Sequence, residues 1–232
     1  SSAPPCPFEG HIDSTQVRLF AQSGPSRQLA RFNKYEYEEE LKSIVDVPML
    51  LSIMSQEDRS GRGGDHIPFR QKGYAAMRFT SANENGSANS GDPDYDDHQH
   101  TSDDILGVDT DGDNVLDSFF VDFNYLARNT VINGMAICTA AKGPDTPEFD
   151  AEENGNKLKV TIDDPNDYLD YRIFSRTSEA YFDTVYFLAG AKTIDIERSN
   201  NPNTLQKVSV AAVDEKGIES LFSSEQAFFP DL

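Results

Sequence analysis

The chain has no tryptophan, two cysteines and four histidines among its 232 residues. Cys6 and Cys138 cannot make a disulfide framework. At most they pair once, tying the amino end to a late helix, and the sequence leaves that pairing open. Basic residues are scarce, 20 against 40 acidic, for a net charge of −20. That balance excludes nucleic acid and anionic membrane surfaces as partners, because both repel a protein of the same sign. No apolar run approaches the roughly 18–20 residues of a membrane span, so no membrane insertion is expected. The opening SSAPPCPFEG has neither an initiating Met nor a basic stretch followed by an apolar one. It is expected to be a processed end without a signal peptide.

What is present suffices for a core. Apolar residues make up 37% and aromatics 10%, and the length admits one large or two ordinary domains. The acid is spread along the whole chain and reads mainly as a solvating surface. With so many Asp, it suits a secreted protein in salty, calcium-containing water.

In order, residues 16–21 (QVRLFA) alternate polar and apolar side chains as a half-buried strand does. Gly24-Pro25 breaks the pattern, and Ser26 is a good N-cap for a helix running to about Ile44. Leu29, Phe32, Tyr35 (or Glu36) and Leu41 give that helix its apolar face, and Glu38–Glu40 a solvated one. Asp46-Val47-Pro48 stops it. The runs 49–54 (MLLSIM) and 74–79 (YAAMRF) read as buried strands. Between them lie the cluster GRGGDH and a short turn or helix over 65–71. Residues 81–91 are loop. From Asp117 to Ala141 the pattern is a long helix. Strands and helices alternating in this way imply an α/β layer.

Composition shifts at KGPDTP (142–147), which divides the chain into units 1–143 and 144–232. Short alternating strands follow at 157–162, 171–176, 184–188, 193–197, 207–213 and 221–229, spaced as in an all-β sandwich. The segment KVSVAAVDEKGIES, a strand of alternating apolar residues running into a turn, resembles that of a fibronectin type III or related immunoglobulin-like module.

The histidines concentrate the chemistry. His98 and His100 stand in HQHTSDD, after a candidate buried strand, and His66 follows Asp65 in the glycine cluster. A neutral imidazole beside carboxylates suits zinc, with a neighbouring Asp orienting the ring. Equally, Asp65 and His66 read as a turn network bonded to the backbone. GRGGDH is not a phosphate loop, since it lacks the Lys-Ser/Thr ending.

Taken together, Asp65-His66-Ile67-Pro68-Phe69, Gly73 with residues 74–79, His100-Thr101-Ser102-Asp103-Asp104 and the helix from Asp117 resemble the carboxyl-terminal half of the di-zinc aminopeptidases of metallopeptidase family 28. The resemblance spans roughly residues 15–141. It implies a partial three-layer α/β domain with Zn²⁺ on His100, Asp104 as its neighbour, and Asp65 and His66 on the floor of a peptide cleft. Gly64 stands where the family commonly has Ser, and Gln99 where an aromatic usually precedes the ligand, so His98 is a rival ligand. The family's other ligands (a His, a bridging Asp, a Glu and a further Asp) and its general-base Glu come earlier than the matched part. His11-Ile12-Asp13 looks like the first His-x-Asp motif, but the strand after it matches the later half. One His and scattered carboxylates do not activate a water, so the chain is expected to be inactive alone, peptide binding requiring an upstream fragment.

A second constellation is Asp109, Asp111, Asp113 and Asp117 in DTDGDNVLD. Alternate Asp around a Gly-permitted turn form an oxygen cage for Ca²⁺; the segment resembles the loops of thrombospondin type 3 and dockerin repeats. Asn114 stands where Gly is usual, and Phe120 where a bidentate Glu would close the site. The other reading is an exposed turn capping the helix. Asp92, Asp94, Asp96 and Asp97 read as solvated.

Two functions follow. One is the carboxyl-terminal portion of a secreted, or periplasmic, zinc exopeptidase. The other is a non-catalytic extracellular structural or adhesive subunit, calcium-stabilised and associating with itself or a second chain through an open sheet edge.

Overall fold

The computed structural model describes residues 23–54, 64–81, 101–177, 180–201 and 204–228. The strand expected at 16–21 lies outside them. The first described element is α1, Pro25–Glu36. Its cap is Gly24 rather than Ser26, because Pro25 occupies the first helical position, where its fixed φ and missing N–H cost nothing. The Ser26 hydroxyl instead accepts a hydrogen bond from Ala76 N at 3.2 Å. The helix does not run regularly to Ile44. It widens into a π turn, Tyr37–Leu41, where Glu38 lies between Lys34 and Lys42 at 3.7 and 3.8 Å.

The two buried strands expected at 49–54 and 74–79 do not form. Both segments are extended but pair with nothing in a sheet among the described residues. A strand inside a parallel layer needs a neighbour on each side for its backbone groups. Here side chains of α1 and the π turn take part of that role: Met49 N donates to Tyr37 Oη at 2.6 Å, and Lys34 Nζ donates to Leu51 O at 2.9 Å. Leu50 and Tyr74 remain exposed. The aminopeptidase-like α/β layer is thus not assembled among the described residues.

The short α2, His66–Gln71, sits where a turn or helix was expected. A two-residue ladder, β1 Gly107–Val108 with β2 Ser118–Phe119, closes the acidic loop. The long helix α3 is Phe123–Lys142, six residues later than the expected Asp117. Asp122 is its N-cap, accepting from Asn124 N and Tyr125 N at 2.9 and 3.0 Å, while Asp117 belongs to the loop before it. No helix among the described residues is long and apolar enough to cross a membrane.

The remainder is a β-sandwich. One sheet has the order β3–β4–β7 (Glu148–Asn154, Lys157–Asp163, Thr193–Glu197). The other has β6–β5–β8–β9 (Thr184–Ala189, Asp170–Arg176, Gln206–Val213, Gln226–Phe228). All pairs are antiparallel. Alternate side chains of β4 (Leu158, Val160, Ile162) meet Tyr171, Ile173, Val208 and Val210 between the sheets, as period-two patterning requires. Strand β3 was missed by the sequence reading because EFDAEEN carries too much acid to look like a strand. The hairpin with β4, turning through Gly155 at φ +64°, holds it in place.

The sandwich is not separate from what precedes it. Phe32 and Tyr35 of α1 pack into a second core with Phe174 of β5, Ala211 of β8 and Phe222 after it. Their rings meet edge-on, Phe32–Phe222 at 5.5 Å and Tyr35–Phe174 at 5.1 Å.

Candidate functional site

Of the residues expected in a peptide cleft, Asp65 is exposed at the start of α2 and makes no side-chain cap there. His66 is buried. Gly64 is dictated locally: a Cβ at that position would lie 2.7 Å from His66 Nδ1, so a Ser would displace the ring. Asp104 is exposed, its N–H donating to Thr101 O at 3.3 Å. His98, His100, His11, Cys6 and the run Asp92–Asp97 lie outside the described residues, while Cys138 sits exposed on α3. Among the described residues, the grouping able to hold a metal is Asp109, Asp111 and Asp117. It contains no imidazole or thiolate. The described residues by themselves therefore do not fit a zinc centre, the candidate imidazoles His98 and His100 lying outside them.

The acidic loop comes together as a self-bonded turn. Asp109 Oδ1 accepts from Gly112 N at 2.6 Å and Asp111 N at 3.2 Å, and its Oδ2 accepts from Asn114 N at 2.7 Å. Gly112 (φ +82°) and Asn114 (φ +68°) supply the left-handed conformations that turn those amides inward. These bonds, the one from Gly112 first, hold the Asp109 carboxyl below its usual value. Both oxygens of Asp117 accept from the Thr110 hydroxyl at 2.8 Å, tying the loop's ends together. Oxygens of Asp109, Asp111 and Asp117 lie within 4.8 Å of one another. Asp113 is not in that group and accepts instead from Val115 N at 2.8 Å. Such a set can bind a hard cation, and it also closes without one.

Charged residues are buried where α1 meets the sandwich. Arg31 and Arg176 are fully buried around Glu225. Arg176 grips it with two bonds, Nε–Oε1 at 2.6 Å and Nη2–Oε2 at 2.7 Å, and Arg31 Nη1 lies 3.6 Å away. Burial pushes the Glu225 carboxyl upward, but the Arg176 bonds and the charges of Arg31 and Arg176 outweigh it, leaving it below its usual value. Gln28, Arg31, Phe32 and Tyr35 share one stripe of α1, so a charge amid apolar positions was the one available signal.

Beside this cluster, Glu36 at the end of α1 reaches Glu219 in the β8–β9 connection. Arg172 Nε of β5 lies 3.1 Å from Glu219 Oε1. A small apolar groove runs between the π turn and α3, lined by Tyr37, Leu41, Val45, Val47, Val131 and Ile132 among others.

No family model matches the chain. It is 31% identical over 163 residues to a protein of Pyrenophora tritici-repentis named probable zinc metalloprotease, covering 67% of this chain and 30% of that protein. Proteins of the same name from Leptosphaeria maculans and Pyricularia oryzae are 30% and 33% identical over 188 and 159 residues. Those alignments cover 78% and 58% of this chain, and 39% and 28% of the relatives. The chain thus spans about a third of the length of these curated relatives. Among solved structures it is similar to the FN5 domain of Drosophila Lar (TM-score 0.32, 17% identity, 38% of this chain and 98% of that one). It is also similar to an Fn3-like protein from Clostridium thermocellum (0.31, 20%, 39% and 98%). At such scores the sandwich rests on its own strand order.

Proposed function

We propose that this chain is the carboxyl-terminal part of a secreted zinc exopeptidase of the aminopeptidase type, a closing segment of the catalytic unit followed by a sandwich that braces it. The observation that carries this reading is the identity of about 30% to probable zinc metalloproteases, confined to about a third of their length. Burial adds support. Eighteen of the 21 exposed large apolar side chains among the described residues precede Gly143, including Leu50, Phe69, Phe120 and Ile137. A surface so apolar is ordinarily covered, and the remainder of such a catalytic unit is what would cover it. In this reading His100, with His98 as its rival, gives one zinc ligand and Asp104 supports it. Asp65 and His66 line the cleft, and the remaining ligands and the base come from upstream sequence. The acidic loop takes calcium as a brace, outside the chemistry.

The test is hydrolysis of short peptides with free or acetylated amino ends, by the chain alone and by the chain joined to the upstream region of its full-length protein. Cleavage by the joined form alone, and only of free amino ends, is expected. Cleavage of internal bonds would overturn the exopeptidase assignment. A joined form that binds calcium, assembles into a defined oligomer and cleaves nothing would favour the non-catalytic scaffold.

A further inference from the structure

Glu36 is 3% exposed and Glu219 8%. Glu36 Oε1 is buried and, among the described residues, accepts no hydrogen bond from a donor; what its carboxyl meets is a second carboxyl. Two carboxyls in hydrogen-bonding contact cannot both be ionised in a buried site, so one keeps a proton and donates it to the other. Arg172 decides which. Burial raises the Glu219 carboxyl as well, but the Arg172 Nε lies 3.1 Å from it while the guanidinium sits 4.4 Å over the Phe187 ring, so the charge is favoured on Glu219 and the proton on Glu36.

The groups facing the pair come from every element around it. They are Tyr35 on α1, Glu40 on the π turn, Arg172 on β5 and the uncharged Thr139 hydroxyl on α3. One guanidinium stands among three carboxyls. The backbone is tight here too, since a Cβ on Gly143 would lie 2.5 Å from Glu219 O.

We propose that this shared proton latches α1 and the end of α3 to the sandwich, and that its loss at alkaline pH opens the joint. Burial, followed by the Glu219 contact, raises Glu36 to about 8, from an ordinary value of 4.5. The raised group stabilises the closed joint fully below its ordinary value, and that contribution is lost as pH rises through the folded one. Between pH 6 and 9 the ratio of closed to open joint should fall about a hundredfold.

Hydrogen exchange, corrected for intrinsic rates, reads this out on the amides of α1 and of residues 214–225. In the wild type, protection of both should fall about a hundredfold from pH 6 to 9. In Glu36→Gln, whose amide donates to Glu219 without titrating, it should stay flat. Equal protection at both pH values in the wild type, or the same fall in the variant, overturns the latch. If the variant does not fold, the carboxyl ¹³C shift of Glu36 in the wild type decides: a titration above pH 7 supports the latch, and one between pH 4 and 5 overturns it.

Discussion

Arg176 Nε lies 2.6 Å from Glu225 Oε1, with both side chains out of solvent. A buried pair of this kind is not in itself strongly stabilising, but removing one partner strands the other. Here the lost charge is felt by two buried guanidinium groups, because Arg31 lies beside the same carboxylate while also bonding Ala180 O and Gln28 Oε1. Glu225→Gln should therefore cost roughly 3–5 kcal/mol, read as a lower urea midpoint with an unchanged slope. Because the Glu225 value is lowered on folding, its contribution is present above its ordinary value and disappears as pH falls through the folded one. The wild type should lose that stability in acid, and the variant should show a flatter acid limb.

Phe222 ties α1 to the sandwich through contacts with Phe32, Tyr35 and Phe174. Phe222→Ala should cost about 3–5 kcal/mol. Its mark should extend beyond the sandwich: exchange of the α1 amides should speed up along with that of β8. Loss confined to β8 would mean that α1 is held by other contacts.

The sandwich was largely legible in the sequence because its strands are half-buried and written with period two. Residues 193–197 match β7, and 157–162, 171–176 and 207–213 fall within one residue of β4, β5 and β8. The last strand is shorter than the expected 221–229: within Leu221–Glu225, Ser223 bonds Val210 of β8 in part through its hydroxyl, and Ser223 O and Glu225 also meet Gln28 and Arg31 of α1. In the first unit the two expected strands do not form, for a physical reason. MLLSIM and YAAMRF have the composition of interior strands, but a strand is made by its neighbours, and none pairs with either among the described residues. Asp109, Asp111 and Asp117 were legible as a cluster because a turn gathers near neighbours. Glu219 and Glu225 were not, because their partners lie far away in sequence and acid in an acidic chain gives no hint of burial; spacing alone put Glu36 on the inner face of its helix, without its partner.

Gly143 is required by space, not by its backbone angles. It ends α3 at φ −61°, an ordinary conformation, yet a Cβ would press on Glu219 O at 2.5 Å and Thr139 O at 3.0 Å. Both obstacles are backbone, so they cannot swing aside. Gly143→Ala should lower stability by about 1–3 kcal/mol, the range for overpacking, seen as a lower thermal midpoint.

The acidic loop should respond to Asp109→Ala by losing protection at Asp111, Gly112 and Asn114, whose amides that carboxylate accepts. Calcium at millimolar concentration should shift the amide resonances of residues 109–117 in the wild type and leave those of Asp109→Ala in place. Identical shifts in both would show that the cation binds elsewhere.

The most direct measurement is zinc per chain by mass spectrometry, after exhaustive dialysis, for the chain alone and for the chain joined to the upstream region of its full-length protein. The expected result is no retained zinc for the chain alone and near-stoichiometric zinc for the joined form, lost with His100→Ala or His98→Ala. Stoichiometric zinc on the chain alone, or a joined form that holds none, would contradict its place as the closing part of a zinc peptidase.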